Sequence, residues 1–132
     1  MVDRERVLRL LNRIERDVGV LADLAARDGV VDDAVLLGAV KYHFVTAIGG
    51  CAKVAHHLAA AQGWPVSDSN GDAVRGLGDH GVLDPSLASA VGFRNLLVHQ
   101  YADVDDERTV AHLNDLDGLR QFTRQVADWL RT

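Results

Sequence analysis

RERVLRLLNRIERDVGVLADLAAR, residues 4 to 27, decides the fold. Val7, Leu10, Leu11, Ile14, Val18, Leu21 and Leu24 recur at steps of three and four, and on a 3.6-residue turn they line up as one apolar stripe. Asp28-Gly29 follows, with glycine in its usual place just past a helix end. Reading outward, Asp32 or Asp33 caps a second helix predicted to run to about Gln62, apolar and small on one side from Val35 and Leu36 through Ile48 and Cys51 to Leu58 and Ala59. Gly49-Gly50 in its middle costs about 1 kcal/mol per glycine relative to alanine. That cost suits a place where another helix approaches closely, within a bundle or between subunits. Gly63-Trp64-Pro65 ends the second helix.

Residues 66–83 form a looser stretch, with a short helix predicted around Asp72 to His80. Asp84-Pro85 then reads as an N-cap followed by proline at the first helical position. The helix it starts carries Leu87, Ala88, Val91, Leu96 and Leu97, and is expected to reach at least Val98. A turn over 103–106 leads into a final helix, about Glu107 to Leu130, carrying Val110, Leu113, Leu116, Leu119, Phe122, Val126 and Leu130. No segment alternates as a strand does. The expectation is one all-α domain over residues 1–132, a four- to five-helix up-down bundle without internal repeat or linker.

A chain of 132 residues, 48% hydrophobic and 25% charged, is long enough for one globular core and too short for two. Cys51 alone makes no internal disulfide, so no oxidising compartment is needed and the cytoplasm is the expected location. The start, with Asp3, Arg4, Glu5 and Arg6, does not resemble a leader, and the uninterrupted apolar runs fall short of a bilayer span, so no membrane partner is expected. A net charge of −5 argues against broad nucleic-acid coating. The deficit is local, however. Residues 67–93 carry four acids against Arg75, and residues 105–132 six acids against four bases. Residues 1–29 balance six with six, and there Arg6, Arg9, Arg13 and Arg16 form a ridge on the flank of the first helix. Two readings stand for it: a solvated face with pairs such as Arg9 and Arg13 near Glu5 and Asp17, or a surface that tracks RNA phosphates.

Chemistry concentrates in one stretch. His43, His56, His57, His80, His99 and His112 include no His-x-x-x-His pair, and one cysteine offers no zinc spacing, so no metal is expected. No phosphate-cradling glycine loop follows a strand, no cofactor is implied, and Cys51 among glycine and alanine reads as an inert buried thiol. That leaves Gly92-Phe93-Arg94-Asn95-Leu96-Leu97-Val98-His99-Gln100-Tyr101. Arginine clamps phosphate with a permanent charge, and histidine moves protons near neutral pH. Together they suffice to cleave RNA without metal, because the ribose supplies its own nucleophile in the 2′-hydroxyl. On one ideal helix Arg94 and His99 lie about 140° apart, whereas Asn95 aligns with His99 and Arg94 with Tyr101. The pair converges if the helix ends near Val98, if the arginine curls round, or if two copies meet across a two-fold axis. An ordinary helix cap is the plain alternative.

This stretch resembles the signature of the HEPN superfamily, and His-x-Tyr after the arginine resembles its HepT-like branch. Lys41-Tyr42 in the long helix, Gly-Val-Leu at 81–83 and Asp103-Val104-Asp105 after the tyrosine fit the same pattern over nearly the whole chain. The resemblance implies a HepT-like ribonuclease toxin of a toxin–antitoxin pair, working on RNA as a homodimer with motifs from both subunits at one cleft. Arg94 would bind the scissile phosphate, His99 would act as general acid or base, and Asn95 would orient the site. The implied partner is an MntA-like minimal nucleotidyltransferase antitoxin that adenylylates Tyr101, with Arg6, Arg9, Arg13 and Arg16 as further RNA contacts. It also implies an acidic residue in the middle of the long helix, where this chain has Gly49-Gly50, and a lower activity if that acid orients the site. A rival function is a non-catalytic helical module that partners a nucleotidyltransferase.

Overall fold

The computed structural model describes residues 2–89, Phe93 and residues 105–132, and all regular structure among them is helical. Helix α1 (Arg4–Ala25) starts at Asp3, whose carboxylate accepts the Arg6 N–H at 3.0 Å. Gly29 at φ 70° turns the chain into a 3-10 turn (Val30–Asp32), the left-handed conformation that glycine adopts without a Cβ penalty. Asp33 then caps α2 (Ala34–Gln62), accepting the Val35 and Leu36 N–H groups at 3.0 and 3.1 Å. Gly63 at φ 69° closes α2, and Trp64 N–H bonds back to the Ala59 carbonyl. Ser69 caps α3 (Asn70–Asp79) and Asp84 caps α4 (Pro85–Ala88). Asp105 caps α5 (Asp106–Ala111), and a 3-10 turn (His112–Asp115) leads into α6 (Asp117–Leu130). The predicted helix beyond Ala88, with Val91, Leu96, Leu97 and Val98, lies outside the described residues.

A short connection leaves α1 and α2 antiparallel, and cross-contacts fix their register. Asp3 N–H meets His57 Nε2 at 3.1 Å, Ile14 sits over Gly50, and Asp17 meets His43 at 2.9 Å. The stripe read from residues 4–27 is the buried face: Val7, Leu11, Ile14, Val18, Leu21 and Leu24 are buried, with Leu10 at its edge. α2 is the central helix and presses Val40, Phe44, Ala47, Cys51, Val54 and Leu58 into the core, where Leu119, Phe122 and Val126 of α6 join them. Uninterrupted apolar runs in α2 are short because Lys41, His43 and Lys53 punctuate them. Averaged over 18 residues its mean hydropathy is 1.4, a value that the core helix of a bundle also reaches. At one end of the bundle Trp64 stacks on His80 with centroids 4.1 Å apart and meets Trp129 edge-on at 6.3 Å.

Two expectations are corrected, on the final helix and on Asp17. The final helix is not continuous from Glu107, because the 3-10 turn interrupts it. Leu113, Leu116, Leu119 and Phe122 are all buried at steps of three. A 3-10 turn eclipses residues i and i+3, so it holds the first two on the core side before α6 takes over. Within the chain the close approach is at Gly50, where a Cβ would lie 2.8 Å from Ile14 Cγ1, whereas at Gly49 none of the described residues lies within 4 Å of one. Asp17 is not on the solvated face beside Arg9 and Arg13. It lies three residues after Ile14 and four before Leu21, on the core stripe, and is buried.

Candidate functional site

Arg94, Asn95, His99, Gln100 and Tyr101 lie outside the described residues, so the structure bears on the candidate site through its flanks. Phe93, directly ahead of Arg94, is 2% exposed and packs on Phe122 of α6 with ring centroids 6.1 Å apart. Gly118 makes room for it: a Cβ at Gly118 would stand 3.2 Å from the Phe93 Cβ. The far side is tied down at the start of α5. There Asp105 accepts the Glu107 N–H at 2.9 Å, and Asp106 forms a 2.7 Å ion pair with Lys41 of α2. The residues that flank the motif in sequence thus have an aromatic contact on α6 and an ionic contact on α2. Beside Phe93 a cleft of about 330 Å³ is lined by Ser86, Leu87, Asn114, Asp115, Asp117, Gly118 and Gln121. Its described side chains supply carboxylates and amides rather than cations.

Next to the Lys41 anchor stands a pair that sequence reasoning missed. His43 Nδ1 meets Asp17 Oδ1 at 2.9 Å, with the side chains 24% and 8% exposed, and the Tyr42 ring stands edge-on to the imidazole at 5.1 Å. Asp17 Oδ2 is buried and has no hydrogen-bond partner among the described residues. The position of Asp17 inside the apolar stripe was the available signal, and its charge masked it. His56 is exposed and bonded to Asn70 Oδ1, and His57 is half-buried and accepts the Asp3 N–H. Among the described residues no three His, Cys, Asp or Glu side chains group as metal ligands.

Arg6, Arg9, Arg13 and Arg16 are all exposed along α1, and none of them forms an ion pair among the described residues. Cys51 is buried, and burial pushes its thiol well above the ordinary range, which removes it as a nucleophile. Asp84 is held below the ordinary carboxylate range by the backbone N–H and hydroxyl of Ser86, as an N-cap should be.

Residues 6–126 match the family described as ribonuclease HepT-like. A curated protein of Archaeoglobus fulgidus, provisionally named an RNase, is 29% identical over 127 residues, covering 92% of this chain and 93% of its own. Among solved structures, the fold is similar to a tri-AMPylated Shewanella oneidensis HEPN toxin in complex with MNT antitoxin, with a TM-score of 0.80 at 16% identity over 97% of this chain and 99% of that one. A toxin–antitoxin crystal structure with AMP-PNP gives a TM-score of 0.75 at 18% identity over 92% and 97%.

Proposed function

The chain belongs to the HepT-like ribonuclease family, and from that premise we propose that it is a metal-independent endoribonuclease, the toxin of a toxin–antitoxin pair. The observation that carries this reading is the coincidence of two things in one chain: the family match over residues 6–126, and Arg94-x4-His99-x-Tyr101 inside it. The ribose 2′-hydroxyl attacks the adjacent phosphorus as His99 of one motif takes its proton. The P–O5′ bond breaks, and a proton returns to the leaving 5′-oxygen, giving a 2′,3′-cyclic phosphate and a 5′-hydroxyl. Arg94 holds the phosphate and stabilises the charge that builds on it, and Asn95 orients the site. The working unit in this reading is a homodimer whose two motifs share a cleft, as the family resemblance implies.

The partner reading rests on the fold's likeness to a HEPN toxin bound to an MNT antitoxin and carrying AMP groups. By analogy a minimal nucleotidyltransferase antitoxin transfers AMP to the Tyr101 hydroxyl, releasing pyrophosphate from ATP. AMP on Tyr101 brings bulk and negative charge to the end of the motif and repels the RNA backbone. Co-expression with a cognate nucleotidyltransferase is expected to add AMP-sized mass to the wild type and none to Tyr101→Phe.

The central test is cleavage of tRNA and mRNA in EDTA by the wild type, Arg94→Ala and His99→Ala. Loss of the histidine is expected to cost about 10²- to 10⁴-fold in rate. Cleavage that survives in His99→Ala, or that requires added metal, overturns the mechanism. Growth arrest that persists in Arg94→Ala supports a non-catalytic binding module instead.

A further inference from the structure

Asp17 and His43 meet across α1 and α2 where the surface is also basic and aromatic. Asp17 Oδ1 stands 2.9 Å from His43 Nδ1, and a carboxylate only accepts, so Nδ1 carries the hydrogen. In the neutral ring the lone pair is thereby fixed on Nε2, which makes no hydrogen bond among the described residues although the imidazole is part-exposed. The other carboxylate oxygen, Oδ2, is buried with no partner among the described residues, so packing alone does not account for an acid at this core position. Two further groups flank the ring. Arg13 stands one turn before Asp17 on the same side of α1, about 6 Å along the helix. It is exposed and forms no ion pair among the described residues. Tyr42 is 58% exposed, and its ring lies nearly perpendicular to the imidazole with centroids 5.1 Å apart.

We infer that these groups form a nucleotide subsite for RNA, in which His43 Nε2 accepts a hydrogen bond from a ribose 2′-hydroxyl. A phosphate sits on the Arg13 guanidinium, the sugar on Nε2 and the base against the Tyr42 ring, one recognition element for each part of a nucleotide. Asp17 touches no RNA. It is a positioning residue, which holds the imidazole so that Nε2 faces outward as an acceptor. DNA lacks the hydroxyl that Nε2 reads, so the subsite selects RNA. Arg9 and Arg16 on the same exposed ridge extend the phosphate track past it. This rests on the ribonuclease reading above, and adds a place outside residues 94–101 where the substrate is told from DNA.

Fluorescence anisotropy with single-stranded oligonucleotides and the full chain tests this, in a His99→Ala background so that RNA stays intact. An RNA is compared with a 2′-fluoro version of the same sequence, which keeps the sugar pucker and lacks the hydroxyl donor. The background protein is expected to prefer RNA about three- to tenfold, the worth of one hydrogen bond. Adding His43→Asn, whose amide keeps a donor where Nδ1 stands and removes Nε2, is expected to abolish most of that preference while far-UV circular dichroism stays unchanged. Asp17→Leu with His43→Leu, which leaves no buried carboxylate behind, should do the same and so separates ribose recognition from stability. Tyr42→Ala should weaken both oligonucleotides at least about fivefold and leave their ratio alone. Equal affinities in the background protein, a ratio that survives both His43 replacements, or indifference to Tyr42→Ala overturns the subsite and leaves the ribonuclease reading standing. No RNA binding by any of these proteins, together with no cleavage by the wild type, overturns both.

Discussion

Asp17 shows how position outranks residue type. A carboxylate at a core position of α1 is met by His43 at 2.9 Å, and its second oxygen is buried with no partner among the described residues. His43→Ala therefore strands the whole carboxylate and is expected to cost about 1–3 kcal/mol in urea unfolding. Replacing both residues, Asp17→Leu with His43→Leu, should recover most of that loss, because no buried polar group is left to desolvate. Asp84 gives a second prediction. Its pKa lies below the ordinary value when folded, so its capping of α4 contributes above the ordinary carboxylate range and is lost as pH falls through and below it. Asp84→Asn keeps a capping side chain and should flatten that part of the thermal-stability profile between about pH 5 and 2, a window set by carboxylate titration. Neither feature is legible from residue type alone: aspartate reads as surface until its neighbours at three and four residues are counted.

Among the elements, α1 and α2 were the most legible and the join before α6 the least. Periodicity, caps and terminators sufficed for the first two, since Asp3, Asp33 and Gly63 do locally what their chemistry favours. The 3-10 turn escaped because Leu113, Leu116 and Leu119 satisfy a helical stripe in either geometry, and only packing selects the tighter pitch. The two central glycines of α2 separate by the same logic. Gly50→Ala pushes a methyl against Ile14, which is fully buried, and is expected to lower stability by about 1–3 kcal/mol on thermal melting. Adding Ile14→Val should relieve part of it, whereas a methyl at Gly49 meets none of the described residues within 4 Å.

For the molecule as a whole, the acidic balance and an RNA-cutting role are reconciled by where the charges lie. The family was legible from Arg94-x4-His99-x-Tyr101 and its setting. The spatial relation of those residues was not, because spacing on one ideal helix cannot say how two copies meet. The ridge of Arg6, Arg9, Arg13 and Arg16 is exposed and unpaired among the described residues, which leaves four cations free to track a phosphate backbone. Arg6→Gln with Arg13→Gln should weaken single-stranded RNA binding evenly across sequences. The slope of log K against log salt should become shallower by about 0.7 for each phosphate that is no longer neutralised. An unchanged slope would mark the ridge as a solvated face.

The pairing of Trp64 with Trp129 has a practical optical consequence. These are the two tryptophans of the chain, they sit 6.3 Å apart, and they join the end of α2 to the end of α6. Intrinsic fluorescence therefore gauges the docking of those two helix ends, while circular dichroism averages over every helix. Coincidence of the two unfolding curves would identify a single cooperative transition. A fluorescence change that runs ahead would single out the last helix as the first to let go.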